Sequence, residues 1–353
     1  MGDRATREGE QDAALEALAE AFEAGHFEEA RAAAEGLLAK RPKWVEALHY
    51  RAACDVELGR LEEAAATYGK ALGLAPADAE LLLGAADLCI CHPGEDRETL
   101  EEGLDLCARG HKLAGRAQDS ELRFEFLLLE GIALNQLGNC EGALTRLNMA
   151  LKLDPRSTEA GLERATALFE LGRFDAARAA FARATGGPDP AWAHHYLGLI
   201  AERQGDGREA ARHFGSARSL APDEFPAPVT LSEAEFDGAV EAAVARLPDN
   251  VKRYLDNATV SVEPLPSDDD LGASKPPLSP SILGVFRGTP VGERSVTSAA
   301  DHFPASIVLY QKNLERFART RDELIEQIGI TVMHEVGHLL GLDEEDLWER
   351  GLE

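Results

Sequence analysis

Along the first two thirds of the chain, a short pattern of glycine, apolar, acidic and small positions keeps returning. Gly25-His26-Phe27-Glu28-Glu29-Ala30 recurs as Gly59-Arg60-Leu61-Glu62-Glu63-Ala64, 34 residues on, and Pro42 recurs as Pro76 at the same interval. Gly138-Asn139-Cys140-Glu141-Gly142-Ala143, Gly172-Arg173-Phe174-Asp175-Ala176-Ala177 and Gly205-Asp206-Gly207-Arg208-Glu209-Ala210 continue it at spacings of 33 or 34, closed by Pro155, Pro188 and Pro222. Each unit reads as a helix pair. The glycine permits a tight turn or a close helix crossing, the Ala30-type residue lets the second helix approach, and the proline stops it. One pair buries too little alone, so stacking supplies the core. Five units are clear, and residues 77–121, lengthened by His92-Pro93-Gly94-Glu95-Asp96, hold a degenerate one, giving about six helix pairs.

After Pro222 the pattern changes. Ala221-Pro222-Asp223-Glu224-Phe225-Pro226-Ala227-Pro228 is a proline-rich connector, and Ser232-Glu233-Ala234-Glu235 is a capping box that opens a new helix. Val260-Ser261-Val262-Glu263 alternates as a strand, and Ile307 to Gln311 predicts another. Between them, Pro264 to Pro280 holds five prolines and Asp268-Asp269-Asp270, and it reads as a mobile surface loop, more readily a mere insertion than a partial cover for a site. A capping box at Thr320-Arg321-Asp322-Glu323 precedes Ile325, Ile328, Val332, Val336 and Leu339, a buried stripe on one helix of about twenty residues. The expected fold is mainly α: an α-solenoid of helix-turn-helix repeats over residues 1–222, then a small α+β domain over 223–353.

Met333-His334-Glu335-Val336-Gly337-His338 lies inside that last helix, where residues four apart stand one above the other. His334 and His338 can therefore converge on one metal ion, and Glu335 can reach a water beside it. Ile330, His334, Gly337, His338 and Gly341 share a face, and the two glycines predict open space for the ion. Gly341 can end the helix in a left-handed turn that brings a following acid back to the metal. Asp343 and Glu344 are the candidates for the third ligand. Glu344, ten residues after His334, has the offset that such helices use, while Asp343, Glu345 and Asp346 could form a solvated acidic run.

At residues 228–353 the chain resembles the zincin-like metallopeptidases of minimal fold. The resemblance runs through Leu247-Pro248, the Val260 strand, Leu283-Gly284-Val285-Phe286-Arg287-Gly288-Thr289-Pro290, Glu293-Arg294-Ser295, Ile307 to Glu315, and the His334 helix. It implies a small twisted sheet packed by helices, zinc (Zn2+) held by the two histidines and a nearby acid, and peptidase activity. Zincins also place an edge strand beside the active-site helix, and Ile307 to Gln311 is the candidate here; an ordinary core strand is the plain alternative. Tyr310 and Arg294 are weaker candidates for stabilising an oxyanion. The 34-residue units resemble tetratricopeptide (TPR) repeats, which implies a peptide or protein partner in a groove. His194 and His195, beside Trp192, read as helix-packing residues.

Charge narrows the partners. With 63 acidic residues against 36 basic, a net charge of −27, neither nucleic acid nor an anionic membrane is an expected partner. Cys54, Cys89, Cys91, Cys107 and Cys140 all lie in the repeats without metal-type spacing, and read as small buried residues of a reducing compartment. No apolar stretch is long enough for a signal peptide or a membrane span, so a cytoplasmic protein is expected. Two functions fit: a zinc peptidase whose repeats recruit a substrate or partner, or a non-catalytic TPR adaptor that keeps the zincin shape.

Overall fold

The computed structural model describes residues 2–92, 97–187, 189–255, 258–291 and 305–349. Pro188 and the Glu293-Arg294-Ser295 stretch lie outside the described residues. The chain divides into two compact units, Met1–Ala167 and Leu168–Glu353.

In the first unit, α1 (Gly2–Glu23) pairs with α2 (Phe27–Lys40), α3 (Val45–Glu57) with α4 (Leu61–Leu74), α5 (Ala79–Cys91) with α6 (Arg97–Ala117), and α7 (Ser120–Gln136) with α8 (Cys140–Leu153). Most of α9 (Thr158–Glu170) belongs here too. The repeat glycines serve the turn rather than the crossing: Gly25, Gly59 and Gly138 hold φ of 75°, 70° and 74°, a left-handed conformation that costs glycine nothing. Beyond each turn the alanine of the pattern, Ala30, Ala64 or Ala143, is fully buried, so the second helix lies close on the first. Glycine at the crossings is a separate device, since a Cβ at Gly131 would sit 2.5 Å from Leu147 Cδ2. Asp78, Asp119 and Asn139 cap α5, α7 and α8 through their side chains. Cys54, Cys107 and Cys140 are buried and Cys89 partly so, but Cys91 is exposed, against expectation, because it ends α5.

In the second unit, α10 (Phe174–Ala184), α11 (Pro190–Arg203) and α12 (Gly207–Leu220) continue the helix pairs, with Gly172 and Gly205 again at positive φ. The connector packs Phe225 against α11, where His195 stacks on its ring at 4.7 Å and Trp192 meets it at 4.9 Å. His195 is thus the packing residue expected. Burial and the Arg316 charge push its imidazole down to about 4 from an ordinary 6.5. The folded state then rejects a proton that the unfolded chain accepts, so this contribution to stability is present above about pH 6.5 and lost as pH falls towards 4. It amounts to about 3 kcal/mol at most. Between pH 7 and 4.5, His195→Gln is expected to lose less of the stability of this unit than the wild type does, as read by urea unfolding; parallel losses would refute it.

The remaining elements are α13 (Glu233–Arg246), α14 (Asp249–Leu255), β1 (Ala258–Glu263), α15 (Asp268–Leu271), β2 (Gly284–Arg287), β3 (Ala305–Tyr310), α16 (Gln311–Phe317), α17 (Arg321–Leu340) and α18 (Glu344–Glu349). Ser232 and Glu235 close the full capping box ahead of α13. At α17 only half of it forms. Thr320 Oγ1 accepts from Glu323 N, but the Glu323 carboxylate turns to Arg319 N at 2.7 Å. The sheet order is β1-β3-β2, with β1 and β3 parallel and β2 and β3 antiparallel. Ile307 and Leu309 of β3 join Phe236 and Val240 of α13 and Leu324, Ile328, Val332 and Val336 of α17 in one core. Leu324, not Ile325, begins that stripe, and Ile325 stays partly exposed. Among the described residues, no helix is long and apolar enough to cross a membrane.

The Asp268-Asp269-Asp270 stretch corrects its reading as a structureless loop. Ser267 and Asp270 form a capping box that starts α15, and Asp270, 5% exposed, accepts a fork from Arg287 at 2.6 and 2.7 Å. Arg287 also donates to both oxygens of Glu263, at 2.8 and 3.1 Å. One guanidinium therefore ties α15, β2 and β1 together. Its hydrogen bonds hold the Asp270 carboxyl far below the usual carboxylate range despite burial.

Candidate metal centre

α17 runs unbroken for 20 residues to Gly341, which takes φ 89° as its left-handed C-cap. Gly341 N donates to His338 O and Leu342 N to Gly337 O, both at 3.0 Å, so the chain doubles back over the last turn. Asp343 then starts α18 by accepting from Asp346 N at 2.9 Å. Glu344 is the acid carried back to the histidines: its carboxylate lies 3.3 Å from His338 Nε2 and 3.7 Å from His334 Nε2. The ligand atoms of His334, His338 and Glu344 all fall within 4.8 Å of one another.

His338 Nδ1 donates to Leu342 O at 3.1 Å, which leaves Nε2 to face His334 Nε2, also at 3.1 Å. Two imidazole nitrogens and a carboxylate oxygen, drawn together at a rigid helix end, are a donor set that fits zinc. Glu335, 4% exposed, lies beside them against β2, where Phe286 N–H donates to its carboxylate. Burial, with the Glu344 charge nearby, pushes its carboxyl up to about 8.

Two glycines were read as open space, and only the tertiary structure gives their use. A Cβ at Gly337 would lie 2.4 Å from Leu347 Cδ2, so its space is filled by α18 and serves to dock the element carrying Glu344. Gly284, which the sequence offers only within the stretch that carries the resemblance, is the closer neighbour of the centre. A Cβ there would lie 2.8 Å from Thr331 Cγ2 and 3.1 Å from Glu335 Oε1. Gly284→Val is expected to cost about 1–3 kcal/mol, because both clashing groups sit on one helix that cannot yield locally. Urea unfolding at unchanged zinc content checks this, and wild-type stability would refute it.

The strand beside the centre is also not the one expected. Ile307 to Tyr310 belong to β3, the middle of the sheet, and Tyr310 is fully buried. Its hydroxyl sits by Asp270 rather than at the histidines, and burial with that carboxylate raises the phenol's pKa. Tyr310 is therefore no oxyanion group, and Arg294 lies outside the described residues. β2 forms one of the two edges among the described strands and packs on α17. It lines a cleft of about 520 Å³ with His334, Glu335, His338 and Glu344. Ala273, Ser274 and Leu278 of the proline-rich stretch help wall it.

Comparison with known proteins follows these two architectures. Residues 255–352 match the zincin-like metallopeptidase family, and residues 15–79 and 128–193 match the tetratricopeptide repeat. The chain joins tetratricopeptide repeats to a zincin-like metallopeptidase domain. Among solved structures it is similar to pilF of Pseudomonas aeruginosa, at 19% identity and a TM-score of 0.52, over 66% of this chain and 99% of that one. It is similar to PilW, a type IV pilus biogenesis factor, at 19% identity and a TM-score of 0.52, over 60% of this chain and 94% of that one. At such identity the likeness is one of fold. The chain matches no curated protein.

Proposed function

We propose that the zincin-like domain is a zinc-dependent peptidase acting on peptide or protein substrates, and that the TPR repeats recruit a substrate or partner. The observation that carries this reading is the convergence of His334 Nε2, His338 Nε2 and the Glu344 carboxylate beside a buried Glu335 in an open cleft. His334, His338 and Glu344 would hold the ion. Zinc there would supply Lewis acidity for the scissile carbonyl. Glu335 is the general base that takes a proton from the attacking water and passes it to the leaving amine. Phe286 N–H orients that carboxylate, and Leu342 O fixes the ring of His338. The edge position of β2 among the described strands suits an extended substrate, which can add there as a further strand.

The adaptor reading has the domain hold any ion in a closed coordination shell with no exchangeable water. The cleft and the edge position of β2 favour the peptidase. The deciding measurement is zinc content by elemental analysis together with cleavage of a diverse peptide library by the full chain. About one zinc per chain with chelator-sensitive cleavage is expected. Zinc without cleavage would favour the adaptor, and no zinc after reconstitution would overturn the metal centre.

A further inference from the structure

Away from the metal centre, the second unit encloses a cavity of about 320 Å³. Its walls come from α11, α12, the proline-rich connector, and the segment running from α16 into α17. In a chain of net charge −27, three arginines converge there: Arg218, Arg316 and Arg319. The two carboxylates that also line it are already engaged. Glu202 accepts from Lys312 Nζ at 3.0 Å and from Arg316, and Glu224 Oε1 accepts from Trp192 Nε1 at 2.7 Å. Arg319 is directed at the Asp223 and Glu224 carbonyls, with its closest approach 3.3 Å.

Arg316 carries the unmet demand. One side of its guanidinium is held by Glu202, but Nη1 is buried with no acceptor among the described residues. A buried cationic N–H without a partner is costly, and the natural remedy is an anionic oxygen. Apolar surface lies next to it: Phe214 sits beneath the guanidinium at 5.1 Å, and Phe225 lies against His195. His195 adds no charge of its own, being neutral near pH 7.

We propose that this cavity binds a small organic anion, a carboxylate or phosphate group on a compact apolar body. The Arg316 side chain lining the cavity meets the anion from inside, Arg218 and Arg319 meet it at the mouth, and the body lies against Phe214 and Phe225. Charge-assisted hydrogen bonds from guanidinium supply the affinity. The volume matches the small end of ligand sites and holds little more than one ring with its acidic group. The ligand would bridge α12 to the residues just ahead of Thr320, the N-cap of α17.

Calorimetric titration of the full chain with benzoate and with phenyl phosphate tests this, with benzyl alcohol as the neutral control. Saturable 1:1 binding of at least one anion is expected, with none of the alcohol. Arg218→Glu and Arg316→Gln should each weaken binding about tenfold or more. Arg218 is exposed, so its variant should fold as the wild type does even if loss of the Glu202 pair unsettles the Arg316 variant. No saturable binding of either anion, equal binding of the alcohol, or wild-type affinity in Arg218→Glu would overturn the proposal. The titration needs no metal, so its failure leaves the peptidase reading untouched.

Discussion

Glu335→Gln is expected to retain about one zinc per chain and to lower peptide cleavage by roughly 10²- to 10⁴-fold, the usual worth of a general base. The reason lies in what Glu335 touches. Its carboxylate is buried on the side of α17 facing Gly284 and Phe286, so removing its charge takes no donor from the cluster of His334, His338 and Glu344. Glutamine has nearly the same shape and can still accept from Phe286 N–H, so the helix should be undisturbed. Elemental analysis with steady-state kinetics on one cleaved peptide separates the two quantities. Wild-type kcat would remove Glu335 from its role, and loss of zinc would show that it supports the ligands as well.

Glu344→Gln is expected to weaken zinc binding by about a hundredfold or more, whereas Asp343→Asn should leave it nearly unchanged. Groups that merely orient a ligand are worth 10- to 100-fold in metal affinity, and a direct carboxylate ligand should be worth at least as much. The two acids are adjacent in the chain but differ in task. Asp343 accepts from Asp346 N at the start of α18, while Glu344 lies 3.3 Å from His338 Nε2. Competition against a chromophoric chelator measures the difference. Asp343→Asn should show instead a small loss of stability, about 1 kcal/mol or less, from a weakened helix cap. The reverse pattern of zinc loss would make Asp343 the ligand.

Local rules carried most of the reading. The 34-residue period marks helix pairs because each glycine must supply a left-handed turn, and each alanine must leave room, at a fixed offset. The Ser232 box starts its helix, and the four-residue spacing of His334 and His338 brings both rings to one point. Where the expected element differs from the observed one, the deciding partner lies outside the motif itself. Thr320 forms only half of its box because Glu323 is taken by Arg319 N. The acidic run at Asp268 looked structureless because the Arg287 that accepts its charge is 17 residues on from Asp270 and on another element.

The sequence by itself determined the repeat period, the helix that carries the two histidines, and the glycine at which that helix must end. These are set by interactions within a few residues, where backbone geometry leaves few choices. Only the tertiary structure decided that β3 lies inside the sheet and β2 at its edge, since strand order depends on pairing across more than forty residues, Ala258 with Ala305. It alone gave Gly337 to Leu347 and set Gly284 against Glu335, because packing between elements follows shape and burial that no local pattern encodes.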